Sequence, residues 1–218
     1  MLTWYLARGA GIAGFAALSV ATGLGAFLSS RRPAGQLVGS RAHSSVRSRT
    51  IQRRVLLQYV HRASALTGIT LLVAHIGLLL ADSYAKVGWV GALVPFQSGY
   101  RPWQVSVGVV AMYLMVLVAV TGMMRSRFAR SERASRLWRR IHLASYVAWA
   151  MSAWHFVVSG TDSGTWWAAA VLIGGSAIVG AGVTARLLNP SSPQLVAPAR
   201  PGPERLAAPA EQRSLIGV

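Results

Sequence analysis

Five long apolar runs decide what this chain can fold into. They are Trp4 to Leu28, Val55 to Ala81, Trp103 to Met124, Leu137 to Val158, and Trp166 to Leu188. Each is long enough to cross a bilayer as a helix, which takes about 20 apolar residues. The chain is 53% hydrophobic and 12% charged, whereas a soluble domain carries roughly 25% charged residues. The sequence therefore predicts an all-α, polytopic membrane protein with five transmembrane helices in a bundle.

Arginine-rich and arginine-poor connections alternate between these five spans. Seven arginines lie between Leu28 and Val55, and seven more between Met124 and Ile141: Arg31, Arg32, Arg41, Arg47, Arg49, Arg53 and Arg54, then Arg125, Arg127, Arg130, Arg133, Arg136, Arg139 and Arg140. Basic connections stay in the cytoplasm. The prediction is a plasma-membrane protein with its N-terminus outside and its C-terminus in the cytoplasm. A cleaved signal peptide in place of the first span would put arginines outside, which disfavours it.

The net charge of +17 also needs a partner. Anionic membrane lipid satisfies arginines at these positions, so we expect no nucleic-acid binding. The absence of Cys excludes disulfides, iron–sulfur clusters and thiol catalysis. Residues 1–188 are predicted to form the transmembrane domain, and residues 189–218 a disordered, Pro/Ala-rich cytoplasmic tail.

Two features look functional and have simpler explanations. Gly9 to Gly14 matches the dinucleotide-binding glycine pattern, but it lies in an apolar span rather than after a strand. Small residues for helix–helix packing explain it better. His43 lies in an arginine-rich connection and is interpreted as a solvated loop residue.

The other four histidines lie inside spans, where ionisable residues are rare and usually functional. His61 and His75 lie in the second span, and His142 and His155 in the fourth. The 14- and 13-residue separations correspond to about 21 and 20 Å along a helix. The second and fourth spans run in the same direction. His61 and His142 then form an inner, cytoplasmic pair, and His75 and His155 an outer pair.

Two levels of facing imidazoles are what two stacked b-type haems need, with each iron taking one axial nitrogen from each helix. The bundle would thus hold haem between the second and fourth spans, with one haem instead of two as the alternative. At about 100° per residue, 14 residues return to within roughly 40° of the starting face, whereas 13 residues miss it by about 140°. Tilt, a tightened turn or side-chain reach must close that gap in the fourth span.

Other ligands fit this histidine pattern less well. The separation within each pair excludes one shared zinc site, and two-ligand zinc sites are poor; copper or a proton relay stays an alternative. Haem propionates need cations, for which Arg62 and Arg139 are the inner candidates, and Arg101 and Arg8 the outer ones. The alternative is that these arginines only set the topology.

Further motifs accompany the histidine spacing. They are His61-Arg62, His75 with Asp82, Val94-Pro95-Phe96 with Tyr100-Arg101-Pro102, Trp138-Arg139 before His142, and Gly160-Thr161-Asp162. Over about residues 3–188 the chain resembles the ferric-reductase-like transmembrane family, which includes the haem cores of ferric reductases and NADPH oxidases, and particularly its small actinobacterial members. It departs from the larger members in having five spans, without their additional helix, and no cytoplasmic flavin and nicotinamide domain.

The predicted function is transmembrane electron transfer through two bis-histidine haems to an acceptor at the outer face. Ferric iron, oxygen and a partner protein are all open as acceptors, so the chain is an oxidoreductase component rather than an assigned enzyme. The expected donor is membrane quinol or a separate flavoprotein, because the cytoplasmic segments are too short for a nucleotide domain. The small bacterial members suggest an extracellular flavin-binding partner as an alternative.

Two other functions stay open. One is a single-haem membrane subunit that passes quinol electrons to a partner reductase. The other is a haem-free scaffold or transporter subunit. The outer connection from Asp82 to Pro102 is expected to fold over the outer haem, because loops of this length without structure are uncommon unless functional.

Overall fold

The computed structural model describes residues 2–30, 44–83 and 85–189, and these residues form helices joined by short turns. The helices are α1 (Leu2–Ser30), α2 (Ser44–Ala81), α3 (Gly88–Leu93), α4 (Pro102–Met123), α5 (Arg125–Phe128), α6 (Glu132–His142), α7 (Ala144–Ser159) and α8 (Trp166–Leu188). Five segments are long and apolar enough to cross a membrane: α1, Ile51–Ala81 of α2, α4, α6 with α7, and α8. The predicted all-α architecture with five candidate spans is confirmed. His43 and the predicted tail beyond Asn189 lie outside the described residues.

The helices pack as two groups that leave a gap between the histidine-bearing helices. Helix α1 packs against α2 and α8, and α4 packs against α7, whereas α2 and α7 are not a closely packed pair. Glycines let the backbones approach, as expected for membrane helices. A Cβ on Gly14 would lie 3.5 Å from the Gly68 carbonyl oxygen of α2. Of the Gly9–Gly14 pattern, only Gly14 makes such a packing contact: nothing lies within 4 Å of a Cβ on Gly9, and a Cβ on Gly11 would meet the His75 ring.

The fourth span is divided at Leu143 into two helices, α6 and α7, rather than forming one helix from Leu137 to Val158. The N–H of Leu143 bonds to the Arg139 carbonyl and, as an i to i−3 bond, to the Arg140 carbonyl, both at 3.2 Å; the N–H of Tyr146 makes another i to i−3 bond, to the Leu143 carbonyl, at 3.1 Å. Such i to i−3 bonds wind the chain at about 120° per residue rather than 100°. The tightened turn lies between His142 and His155, so it reduces their angular mismatch. Of the three features named above that could close this angular gap, the structure contains a tightened turn.

The arginine-rich connections are more helical than the apolar runs indicate. Helix α2 begins at Ser44, eleven residues before the predicted start of the second span at Val55. Helix α6 begins after Ser131, whose hydroxyl accepts from the Ala134 N–H at 3.2 Å. This is an ordinary N-cap, and it lets the polar first half of α6 stay helical before the chain becomes apolar.

The outer connection folds, as expected, around a small apolar core. Its residues Ala85, Val87 and Ala92 are buried. The residues packed against them come from α1, α2, α4 and the connection itself: Trp4, Ile76, Leu79, Leu80, Tyr100 and Val105. The buried Asp82 carboxylate ties the start of the connection to α1, because it accepts from the Thr3 hydroxyl at 2.6 Å and from the Ala85 N–H at 2.9 Å. Asp82 therefore acts as a structural cap.

Replacing Asp82 with Ala should loosen this connection. The change leaves a buried main-chain donor and the Thr3 hydroxyl without their acceptor, which costs about 1–3 kcal/mol. Proteinase K digestion of right-side-out vesicles should then cleave the Asp82→Ala connection faster than the wild-type one. Lys86→Gln, at an exposed neighbour, is the control and should cleave at the wild-type rate. Equal cleavage of all three proteins would show that Asp82 does not hold the connection.

Candidate functional site

The outer pair of histidines lies in one cavity between the two helix groups. His75 from α2 and His155 from α7 both line it, and most other lining residues are apolar. The outer connection contributes Val87, Ala92 and Tyr100 to the same lining. The folded connection therefore lies against this cavity.

Each outer imidazole is seated on a glycine of the neighbouring helix. A Cβ on Gly11 would lie 2.9 Å from Nδ1 of His75, and a Cβ on Gly108 would lie 2.7 Å from Cε1 of His155. Real Cβ atoms essentially never come that close, so only glycine leaves room for the rings. The absence of a side chain also exposes the carbonyl one turn earlier in the helix.

Those exposed carbonyls hold the imidazoles. Nδ1 of His75 lies 2.7 Å from the oxygen of Ala7, four residues before Gly11. Nδ1 of His155 lies 2.8 Å from the oxygen of Gln104, four residues before Gly108. A carbonyl oxygen can only accept, so Nδ1 carries the proton and donates it. In a neutral imidazole, the lone pair is then on Nε2.

The same arrangement recurs at the inner level for His61. Its Nδ1 lies 2.8 Å from the oxygen of Ala21, four residues before Gly25. A Cβ on Gly25 would lie 3.1 Å from Cε1 of His61. Helix α1 thus carries two glycine seats 14 residues apart, matching the 14-residue spacing of the histidines on α2.

His142 departs from this pattern. It lies over Gly122, whose Cβ would be 3.7 Å from the ring, so a seat exists here as well. Its Nδ1, however, is the one buried side-chain nitrogen or oxygen without a hydrogen bond among the described residues. The carbonyl four residues before the seat, that of Val118, instead accepts from the hydroxyl of Thr121 at 3.0 Å.

An aromatic contact holds His142 instead. The ring of Trp138 stacks on the imidazole, with centroids 5.0 Å apart and planes 20° apart. The indole N–H of Trp138 donates to the Thr121 carbonyl at 2.9 Å. The Arg125 guanidinium also lies over the Trp138 ring, 5.3 Å from its centroid. His142 is therefore oriented by α6 and the end of α4.

At each level the two histidines lie near enough for their charges to interact. His142 is within electrostatic range of His61, and His155 is within range of His75. Groups of three or more His, Asp or Glu side chains able to hold a metal ion do not occur in the described part of the chain. The histidines of the site are therefore grouped as two pairs and not as one larger cluster.

The arginines predicted as partners of haem propionates are not in hydrogen-bond contact with the histidines. Arg62 and Arg139 are exposed, and Arg62 is within electrostatic range of His61. Arg101 is also exposed and donates to the Val158 carbonyl at 3.1 Å, beside the end of α7.

Arg8 and Asp162 line the outer cavity and form an ion pair with each other. Asp162 is therefore matched by an arginine in this structure. The positive charge of Arg8, the other candidate partner for an outer propionate, is therefore already paired with Asp162.

Sequence reasoning missed the four glycine seats and Arg125. The 14-residue spacing of Gly11 and Gly25, repeated by Gly108 and Gly122, was the available signal for the seats. Arg125 carried no signal of its own, because it is one of seven arginines in a connection where topology already calls for them.

No family model, curated protein or solved structure matches this chain. The resemblance to the ferric-reductase-like family therefore stays a prediction, and the function has to be argued from the geometry of the histidine pairs.

Replacing Gly108 with Ala should displace the His155 ring. The added Cβ would overlap the imidazole, and overpacking of this kind costs about 1–3 kcal/mol. Thermal unfolding in detergent should show a lower midpoint for Gly108→Ala than for the wild type. Gly77→Ala is the matched control, since nothing lies within 4 Å of a Cβ there; an alanine in that helix is expected to be neutral or slightly stabilising. Equal midpoints for the two variants would contradict the seat.

Proposed function

We propose that this chain is a transmembrane electron carrier that binds two b-type haems, one at the outer pair of histidines and one at the inner pair. The observation that carries the proposal is the repeated glycine seat beside imidazoles at two levels, with Nδ1 bonded to a main-chain carbonyl at three of the four.

The residues fit a bis-histidine haem in three respects. Nδ1 donates to a carbonyl at three of the four imidazoles, so Nε2 is the nitrogen left to bind a metal, and this second bond also fixes ring orientation. The glycine seats remove the side chains that would fill the space beside the rings. The helices α2 and α7 stand apart rather than in close contact, as a group held between them requires.

Bound by these imidazoles, haem would supply one-electron oxidation and reduction. The chain would do the rest. The histidines hold their proton on Nδ1 throughout, because the carbonyls of Ala7, Ala21 and Gln104 accept it. The apolar lining and the folded outer connection limit the access of water to the outer pair. Arg62, Arg101 and Arg139 are the candidate cations for the propionates, with Arg8 already paired to Asp162.

The partners in this proposal follow from the charge pattern. With the N-terminus outside and the C-terminus in the cytoplasm of a plasma-membrane protein, the exposed arginines of α2, α5 and α6 form a positive cytoplasmic face that attracts an acidic partner. A separate flavoprotein or membrane quinol would donate electrons there. An extracellular flavin-binding partner at the outer face is the other arrangement, and ferric iron, oxygen or a partner protein would accept.

A single haem at the outer pair is a second candidate. The observation that favours it is the difference between the levels: both outer imidazoles are tied to carbonyls, whereas Nδ1 of His142 has no hydrogen bond. A one-haem protein of this kind would pass quinol electrons to a partner reductase.

Haem content tests both candidates. Wild-type protein expressed with ample haem should carry about two low-spin haems per chain, and His75→Ala or His142→Ala should each carry about one, because each removes one axial ligand. Pyridine haemochrome absorbance against protein concentration gives the ratio. His43→Ala is the control and should keep the wild-type ratio.

The possible outcomes separate the candidates. A wild-type ratio near one that falls to zero in His75→Ala and is unchanged in His142→Ala would select the single-haem protein. A stable, colourless wild-type preparation would refute both and favour a haem-free scaffold or transporter subunit.

A further inference from the structure

The inner pair of histidines lies in an excess of positive charge. The Arg125 guanidinium is within electrostatic range of both His61 and His142, and Arg62 is within range of His61. The one ion pair between described side chains joins Arg8 to Asp162, so within the described residues Arg125 has no acidic partner.

The outer pair has a different electrostatic setting. The imidazoles of His75 and His155 line one cavity together with Arg8 and Asp162. The charged residues that line the outer cavity, Arg8 and Asp162, have opposite signs and are in direct contact. Their fields largely cancel at a distance, whereas the field of Arg125 does not.

Arg125 is held near the inner pair although its side chain is exposed. Its guanidinium lies over Trp138, and Trp138 in turn stacks on His142. The indole is fixed by its bond to the Thr121 carbonyl. Cation, indole and imidazole therefore form one layered contact from the start of α5 to the inner pair.

We propose that Arg125 raises the electron affinity of the inner site, so that the inner site is reduced before the outer site. This rests on the proposed binding of haem at both levels. Adding an electron makes a site less positive, and a nearby uncompensated cation stabilises that state. The step it favours is a one-electron exchange: the outer site loses one electron, the inner site gains it, and no bond or proton moves.

The unbonded Nδ1 of His142 acts in the same direction. A hydrogen bond from Nδ1 to an acceptor makes the imidazole a stronger ligand, which favours the more positive, oxidised metal. Both outer imidazoles have that bond, and at the inner pair only His61 does. Electrons entering at the outer face would thus run downhill to the cytoplasmic level, while electrons leaving outward would need a donor that drives them.

An equilibrium redox titration of the purified, haem-loaded protein tests this, with absorbance as the readout. Wild type should show two one-electron waves, and His142→Ala should lose the one at higher potential. Arg125→Gln should lower that upper wave by at least tenfold in its reduction equilibrium, which is 59 mV for one electron. The lower wave should not move.

Three comparisons keep the test specific to the charge. Arg127→Gln, also an exposed arginine of α5, should leave both waves in place. Arg125→Lys should keep most of the wild-type separation, because it keeps the positive charge. Raising the ionic strength should lower the upper wave of wild type more than that of Arg125→Gln, because salt screens an exposed charge.

Two results would overturn the proposal. An upper wave that is unchanged in Arg125→Gln, or that belongs to the outer pair because His75→Ala removes it, refutes the role of Arg125 while leaving haem binding intact. A wild-type protein without haem refutes the proposed function and this inference with it. If Arg125→Gln loses the inner haem altogether, the ionic-strength response of wild type decides: no downward shift of the upper wave with salt refutes the proposal.

Discussion

The hydrogen bond from an imidazole Nδ1 to a main-chain carbonyl is the interaction on which the rest of this site depends. A helix carbonyl is normally covered by the side chain one turn later, and a glycine at that position uncovers it. The bond made there does three things at once. It places the proton on Nδ1, leaves the lone pair on Nε2 and fixes the plane of the ring. Three separate imidazoles meet this condition, at Ala7, Ala21 and Gln104. Because each bond joins a histidine helix to its glycine-bearing neighbour, it also explains why α2 packs on α1 and α7 on α4.

This pairing gives the molecule two similar halves. In each, a helix with two glycines 14 residues apart precedes a helix with two histidines 14 or 13 residues apart. The halves face each other across the gap that the histidines line. The sequence alone shows no convincing repeat, because the matching positions number only four per half and the intervening apolar residues are free to differ. The repetition is one of spacing and contact, and the turn at Leu143 reduces the angular mismatch of the 13-residue spacing.

The parts that could be predicted from sequence are those that follow from composition along one helix. Apolar length predicts the five spans, and histidine spacing predicts two levels. What sequence could not supply depends on the neighbouring helix. Gly11 looks the same as Gly9, yet a Cβ at Gly11 would overlap His75 while nothing lies within 4 Å of one at Gly9. The tightened turn at Leu143 also has no proline or glycine to mark it. The haem itself stays a prediction, because paired imidazoles are a necessary feature of such a site and not a sufficient one.

The arginine pattern that predicts the orientation of the chain also bears on its candidate site. Orientation needs arginines at the cytoplasmic ends of the spans, and two stacked sites necessarily put one of them close to that side. The positive-inside rule alone would therefore place arginines near the inner pair of histidines, without any role for them in the site. Most of the described arginines there are exposed, and salt screens exposed charges within about 10 Å. Arg125 differs because Trp138 holds it against His142. This aromatic contact places one arginine of the basic connection beside the inner pair of histidines, and the proposed electrical difference between the two levels rests on it.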